Sequence, residues 1–278
     1  MLLSVVIPVL NEEDCIAATL DRLTAQDTID EIVVVDNGST DATPRIVREY
    51  ALTHPRVVLV DEPRRGVARA RNTGFDRASG DFIGRTDADT HVAPDWGEVI
   101  VRHLTAHPDT AALTGITTYY DSPIGFLLKF GLWLQNRRGK LGGPVGNMHG
   151  PNMAIRRTAW LEIREQTVDR PDVIDDLDLA LCLSKRGLRI EQLTDMRAET
   201  SARRRRTSPR RWWQFQLSGL RTIAGQGYRV IPYHRVFVVA AWLGHTAQWP
   251  IYRFWDFDSR RFTLLPAKER LFPLSAAN

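Results

Sequence analysis

Two acidic pairs are set apart by residue type and position. Asp87-Ala88-Asp89 directly follows an apolar run, and Asp175-Asp176 opens a leucine-rich segment that also holds Asp178. Two carboxylates at one strand end suit a hard divalent cation, Mn2+ or Mg2+, because such ions are held by one or two carboxylates while substrate phosphates and water complete the shell. A cation there neutralises charge on a leaving diphosphate. Adjacent carboxylates raise each other's pKa, which makes one of them a base able to take a proton from an alcohol. An acidic helix N-terminus favoured by the dipole also accounts for the second pair. Spacing by itself carries little: 22 aspartates in 278 residues predict about two Asp-x-Asp triplets by chance, and the chain has three. Asp256 and Asp258 lie among aromatics and Asp176 and Asp178 among leucines, so only Asp87 and Asp89 follow a predicted buried strand.

The elements that must position these acids are legible as alternating patterns. Short β-branched runs predict strands at 4–9, 31–36, 56–61 and 81–86, with amphipathic helices at 12–25, 41–53 and 67–78 between them. A helix to about 106 and a strand at 111–118 continue the series. Such alternation requires crossovers, which favour a parallel sheet between helix layers, with ligands beyond the carboxyl ends of the strands. Polar clusters follow each strand: Asn11-Glu12-Glu13, Asp36-Asn37-Gly38-Ser39-Thr40-Asp41, Asp61-Glu62 and Asp87-Ala88-Asp89. Asn11, Ser39 and Thr40 also suit helix caps, which would make them structural. Leu177, Leu179, Leu181 and Leu183 alternate like a strand, but leucine and alanine without β-branched neighbours predict a helix beginning at the acids.

Composition bounds the rest. At 43% hydrophobic and 25% charged, the chain is an ordinary globular one, long enough for a sizeable core. Two cysteines, Cys15 and Cys182, make no disulfide framework and fit a reducing, cytoplasmic setting; residues 1–9 lack the flanks of a signal peptide. Of 37 basic residues, 33 are arginine, a bias that suits phosphate and carboxylate recognition and that genome composition also produces. The segment 124–134 is apolar nearly all round, too short to span a bilayer, and reads as buried core or an interfacial element. After about residue 196 the chain turns basic and aromatic, which predicts a unit at 1–196 and an extension at 197–278 packed on it, able to touch a membrane surface.

The ordered set Ser4-Val5-Val6-Ile7-Pro8 with Asn11-Glu12, Val34-Val35-Asp36-Asn37-Gly38-Ser39-Thr40-Asp41, Ala70-Arg71-Asn72-x-Gly74 and Asp87-Ala88-Asp89 resembles the nucleotide-sugar domain of glycosyltransferase family 2, over about residues 3–190. The resemblance implies the GT-A fold, a Rossmann-like αβα sandwich with a mostly parallel sheet, here followed by the C-terminal helical extension. It implies an inverting transfer of sugar from a nucleotide-diphosphate donor to a hydroxyl or phosphate acceptor, whether glycan, lipid-linked or small molecule. Residue by residue, Pro8, Asn11, Glu12 and Glu13 would line the nucleoside pocket and Asp36 would contact the base. Arg71 would hold nucleotide or diphosphate, Asp87 would face ribose and metal, and Asp89 would bind the metal most directly. Gly150-Pro151-Asn152-Met153 resembles the acceptor loop, in which a glycine lets backbone approach the sugar. Asp175-Asp176 matches the family's acidic pair, making Asp176 the base. Where polymer-extending members carry Gln or Arg, this chain has Ser208 ahead of Arg211-Trp212, which argues against a processive synthase and leaves Arg211 and Trp212 to meet the diphosphate.

Two other readings compete. Six arginines within 203–211, followed by Trp212 and Trp213, could bind nucleic acid by charge and stacking, but acidic strand ends and a net charge of only +4 disfavour nucleic acid as a partner. A peripheral enzyme on the inner face of the membrane would meet anionic lipid through the arginine block, with Phe126, Trp133 or the Trp242 and Trp249 region in the interface, and would use a polyprenyl-phosphate acceptor. Paired acids also occur in nucleotidyltransferases, but those bring a Gly-rich loop after the first strand and none follows Val9.

Overall fold

A computed structural model describes residues 1–170 and 172–266, so 267–278 of the expected extension lie outside the described residues. Along the chain run β1 (Leu3–Val9), α1 (Ile16–Thr24), β2 (Glu31–Asp36), α2 (Thr43–Thr53), β3 (Val57–Asp61), α3 (Val67–Arg77), β4 (Phe82–Arg85), β5 (Thr90–Val92), α4 (Trp96–Ala106) and β6 (Thr110–Tyr119). There follow α5 (Gly125–Arg137), β7 (Gly143–Pro144), β8 (Met153–Arg156), α6 (Arg157–Ile163), α7 (Asp175–Lys185), β9 (Arg189–Thr200), α8 (Pro209–Gly225), α9 (Pro232–Arg253), β10 (Trp255–Asp256) and β11 (Arg261–Phe262).

The β-branched runs become strands because both faces of the sheet are covered. On β1, Val5, Ile7 and Val9 enter one core with Leu20 of α1, Val47 of α2 and Trp96 of α4. Val6 points the other way, into a second core with Phe75 of α3, Trp160 of α6 and Leu183 of α7. This alternation is the two-residue period of a strand buried on both faces. The sheet runs β3-β2-β1-β4-β8-β6-β9-β5, with β7 on β9. Strands β1 to β4 pair in parallel, as do β6 and β9, while β8 inserts antiparallel between β4 and β6.

Register brings the polar strand ends level. Val9 lies beside Asp36 and Asp36 beside Asp61. Antiparallel pairing of Arg85 with Met153 sets the Gly150–Asn152 turn beside the end of β4. Pairing of Thr90 with Thr200 brings the segment after β9 to Asp89. The unit boundary expected after 196 falls inside β9, because that strand must continue to Thr200 to pair with β5 and β6. A 3-10 turn at Ala202–Arg206 then leads to α8 and α9, which pack on each other.

Candidate active site

Beyond the carboxyl ends of β1, β2 and β4 opens a cavity of about 870 Å³. Its lining includes Pro8, Asn11 and Glu12 after β1, Asp87 and Asp89 after β4, Asp175 and Asp176 at the start of α7, and Trp212 of α8. Asn11 has a φ of +56° and does not cap α1; its Oδ1 accepts from the Thr40 N–H at 2.8 Å and its own N–H donates to Ser39 Oγ. The side chains expected as alternative caps therefore fasten two strand-end loops together. Glu13 accepts from the Ala42 N–H at 2.8 Å, and Asp36, largely buried, takes the Ser39 N–H. Both brace the loops and neither lines the cavity.

Each acid of the first pair has an arginine. Arg85, buried at the end of β4, places Nη2 2.8 Å from Asp87 Oδ1 and 3.7 Å from Asp175 Oδ2. Burial alone would lower the Arg85 pKa, but the carboxylates of Asp87, Asp175 and Asp176 raise it, so it stays charged. Burial pushes the Asp87 carboxyl up, with Arg85 opposing. Arg203 donates from Nε to Asp89 Oδ2 at 2.8 Å and from Nη2 to Glu12 Oε2 at 2.5 Å, while Thr200 Oγ1 donates to Asp89 Oδ1 at 3.2 Å. Burial works against the charge on Arg203, yet Asp89 and Glu12 raise its pKa.

No three His, Cys, Asp or Glu side chains among the described residues converge to cage a metal. Asp87 and Asp89 nevertheless present two hard oxygen donors to one cavity, a set that fits a divalent cation whose remaining positions are filled by substrate phosphates. His149 also lines the cavity, its Nδ1 3.1 Å from the Thr117 hydroxyl. The surrounding protein lowers its pKa despite the nearby Asp176 and Asp87.

Asp176 is anchored at its carboxylate by two backbone N–H groups. Its Oδ2 accepts from the Gly150 N–H at 2.9 Å and its Oδ1 from the Leu177 N–H at 2.8 Å, and each oxygen keeps a further lone pair toward the cavity. Asp175 is nearly buried and its Oδ2 has no hydrogen-bond partner. Asp178, wholly buried, accepts from Gln226 Nε2 at 2.6 Å and the Val168 N–H at 2.9 Å, and burial raises its pKa. Asp256 closes a turn by accepting from the Asp258 N–H and Ser259 Oγ.

Several expected roles change in the structure. Arg71 is fully buried and does not line the cavity: its Nη1 donates to the Asp175 carbonyl at 2.7 Å and its Nε to Asn72 Oδ1, so it secures the start of α7 and contributes no clamp to the cavity. Asn152 is also wholly buried, accepting from Trp96 Nε1 at 2.8 Å and donating to the Ile116 and Met196 carbonyls. It ties α4, β6 and β9 together and does not reach the cavity. At Gly150 a Cβ would collide with the Arg85 guanidinium, so the glycine admits that arginine and offers Asp176 its N–H. Arg211 is exposed on α8 outside the cavity, whereas Trp212 lines it and stacks on His245 at 4.2 Å. The indoles of Trp242 and Trp249 do not face outward: they donate to the Pro209 and Arg206 carbonyls. Sequence reasoning missed Arg85 and His149, and it read Arg203 only as part of a basic block; a charge inside a buried strand was the available signal for Arg85.

The family model described as Glycosyl transferase family 2 matches residues 4–163. Chondroitin synthase of Pasteurella multocida is 29% identical over 188 residues, 67% of this chain and 19% of that protein. Glycosyltransferase GlyA of Streptococcus pneumoniae is 29% identical over 121 residues, 43% of this chain and 17% of that protein. The chain thus spans less than a fifth of either relative. Among solved structures, the mannosyltransferase PcManGT of Pyrobaculum calidifontis, in complex with GDP-Man and Mn2+, is 25% identical with a TM-score of 0.64, covering 90% of this chain and 73% of that one.

Proposed function

The chain belongs to glycosyl transferase family 2 and has its GT-A fold, and from that premise we propose that it transfers a sugar, with inversion, from a nucleoside-diphosphate donor to an acceptor hydroxyl. One observation carries the reading: the strand-end acids Asp87 and Asp89 and the backbone-anchored Asp176 line the same cavity, with Arg85 bridging Asp87 to the start of α7. The nucleoside would lie over Pro8, Asn11 and Glu12, and the braced Glu13 and Asp36 would keep that floor rigid. Asp89, with Asp87, would hold Mn2+ or Mg2+, which when bound supplies positive charge to the departing diphosphate. Arg85 pairs with Asp87 and Asp175 and holds them in place, and Trp212 walls the acceptor side.

Asp176 takes the proton of the acceptor hydroxyl as its oxygen forms the bond to the anomeric carbon and the bond to the diphosphate breaks on the opposite face. The Gly150 and Leu177 N–H groups fix the carboxylate plane, so no rotamer search precedes the step. The P. calidifontis neighbour was solved with GDP-Man and Mn2+, which makes GDP-linked sugars the first donors to try, followed by UDP- and dTDP-sugars. In Asp176→Asn the amide keeps shape and loses basicity. Donor affinity measured by calorimetry should stay within a few fold of wild type, while transfer falls by about a thousandfold. An unchanged transfer rate would remove Asp176 from the mechanism.

A further inference from the structure

Two helices present apolar side chains that no other described residue covers. In α5 only Gly125 is buried, and Phe126, Phe130 and Trp133 are 48–67% exposed. In α9 the buried residues Val238, His245 and Tyr252 recur every seven positions and form one narrow stripe, while Val236, Phe237 and Leu243 are 54–66% exposed. A helix that is apolar all round yet packed along one stripe has a second face still to be removed from water. The inward hydrogen bonds of Trp242 and Trp249 hold α9 with that face outward. The two helices are joined at one corner: Tyr252 OH lies 2.8 Å from Ser122 Oγ, and Trp255 Nε1 donates to the Asp121 carbonyl just ahead of α5.

Charge says what covers them. Exposed cations flank both faces, Arg137, Arg138 and Lys140 at the end of α5 and Arg229 and Arg235 at the start of α9, and the sequence has no Asp or Glu from 200 to 255 or from 122 to 161. A second copy of the chain would bring the same positive sign against itself across a two-fold contact. A bilayer with anionic headgroups instead offers phosphates to the cations and acyl chains to the apolar side chains. No helix among the described residues is long and apolar enough to cross a membrane, so α5 and α9 would lie in its surface. We propose that the exposed faces of α5 and α9 form a docking surface for anionic lipid bilayers. Because His245 of α9 stacks on Trp212, which lines the cavity, a docked bilayer lies one helix away from the site. An acceptor carried on a lipid would then reach Asp176 with its tail still in the membrane, a consequence that rests on the transferase reading, whereas docking does not.

Sedimentation of the full chain with vesicles tests docking without any activity. Wild type should pellet with phosphatidylcholine vesicles containing phosphatidylglycerol at low salt and lose most of that binding at high salt. The variants Phe126→Ser/Phe130→Ser/Trp133→Ser and Val236→Ser/Phe237→Ser/Leu243→Ser should each bind about tenfold more weakly, because each removes several partly buried apolar groups from the contact. All six positions are exposed, and unaltered circular dichroism with an unaltered thermal shift on adding a donor keeps folding apart from docking. Failure of wild type to bind anionic vesicles, binding of both variants as tight as wild type, or a wild-type dimer dissociated by these substitutions would overturn the proposal. Loss of the donor shift with docking intact would count against the transferase reading alone.

Discussion

Asp89 reaches its cavity already neutralised, since Arg203 spans it and Glu12 within hydrogen-bonding distance. A cation bound at Asp89 must share the carboxylate with that guanidinium or displace it, and unit charges a few ångströms apart near a protein surface interact by about 4 kcal/mol. A donor diphosphate offers Arg203 another anion, so metal and nucleotide should bind cooperatively. In Arg203→Gln, Mn2+ affinity measured by electron paramagnetic resonance without nucleotide should rise by about tenfold, and the gain in metal affinity on adding nucleotide should shrink. Unchanged affinity would mean that Arg203 does not compete. The sequence marked Asp89 because it ends a buried strand, but it could not separate Arg203 from its neighbours. A 3-10 turn sends successive arginines in different directions: Arg203 to Asp89, Arg205 to the Tyr119 hydroxyl and Arg206 to the Trp255 carbonyl. Gly150 was legible as a close approach, yet the group that approaches is a buried arginine 65 residues upstream, a partner no local pattern reveals.

The first turn of α7 concentrates Asp175, Asp176 and Asp178, and two buried arginines answer them from other elements: Arg71 on α3 and Arg85 on β4. The helix dipole favours acids there, but three carboxylates under partial burial need compensating charge. Arg71→Met keeps much of the side-chain volume and leaves the Asp175 carbonyl and the nearby acids without the guanidinium. It should cost about 3–5 kcal/mol in urea denaturation, the range for breaking a buried charged pair. A loss below about 1 kcal/mol would show that the helix terminus is satisfied without it. Elements with a strong period were legible: β1 to β4 lie within a residue or two of the β-branched runs, and α7 is helical despite its alternating leucines. Strand β9 was not, because Glu191, Gln192, Asp195, Arg197 and Glu199 interrupt any apolar pattern in a strand paired on both sides. The four-residue β8 was too short to show a period. For α5 the pattern left core and interface open, since exposure depends on what the rest of the chain fails to cover.

The cavity walls come from segments far apart in the chain: strand ends near residues 8–12 and 85–89, the loop at 149–151, the start of α7, and the segment from Thr200 to Arg221. A donor bound there ties the parallel sheet to α8, so its binding energy should stabilise the entire molecule as one unit. A ligand at a hundred times its Kd adds about 2.7 kcal/mol, and at this chain length each kcal/mol raises Tm by about 2–4 °C. A saturating nucleotide sugar with Mn2+ should therefore raise Tm by about 5–10 °C in a single transition. The donor without metal should give a smaller rise. In Asp89→Ala the added effect of Mn2+ should disappear while the metal-free rise persists, because the substitution leaves Pro8 and Asn11, the proposed nucleoside contacts, in place. Two transitions with only the first shifted would show the segment after β9 to be an independently folding domain that takes no part in donor binding. The absence of a shift with every GDP-, UDP- and dTDP-sugar would instead sink the assignment of this cavity to a nucleotide-sugar donor, whichever way the C-terminal helices pack.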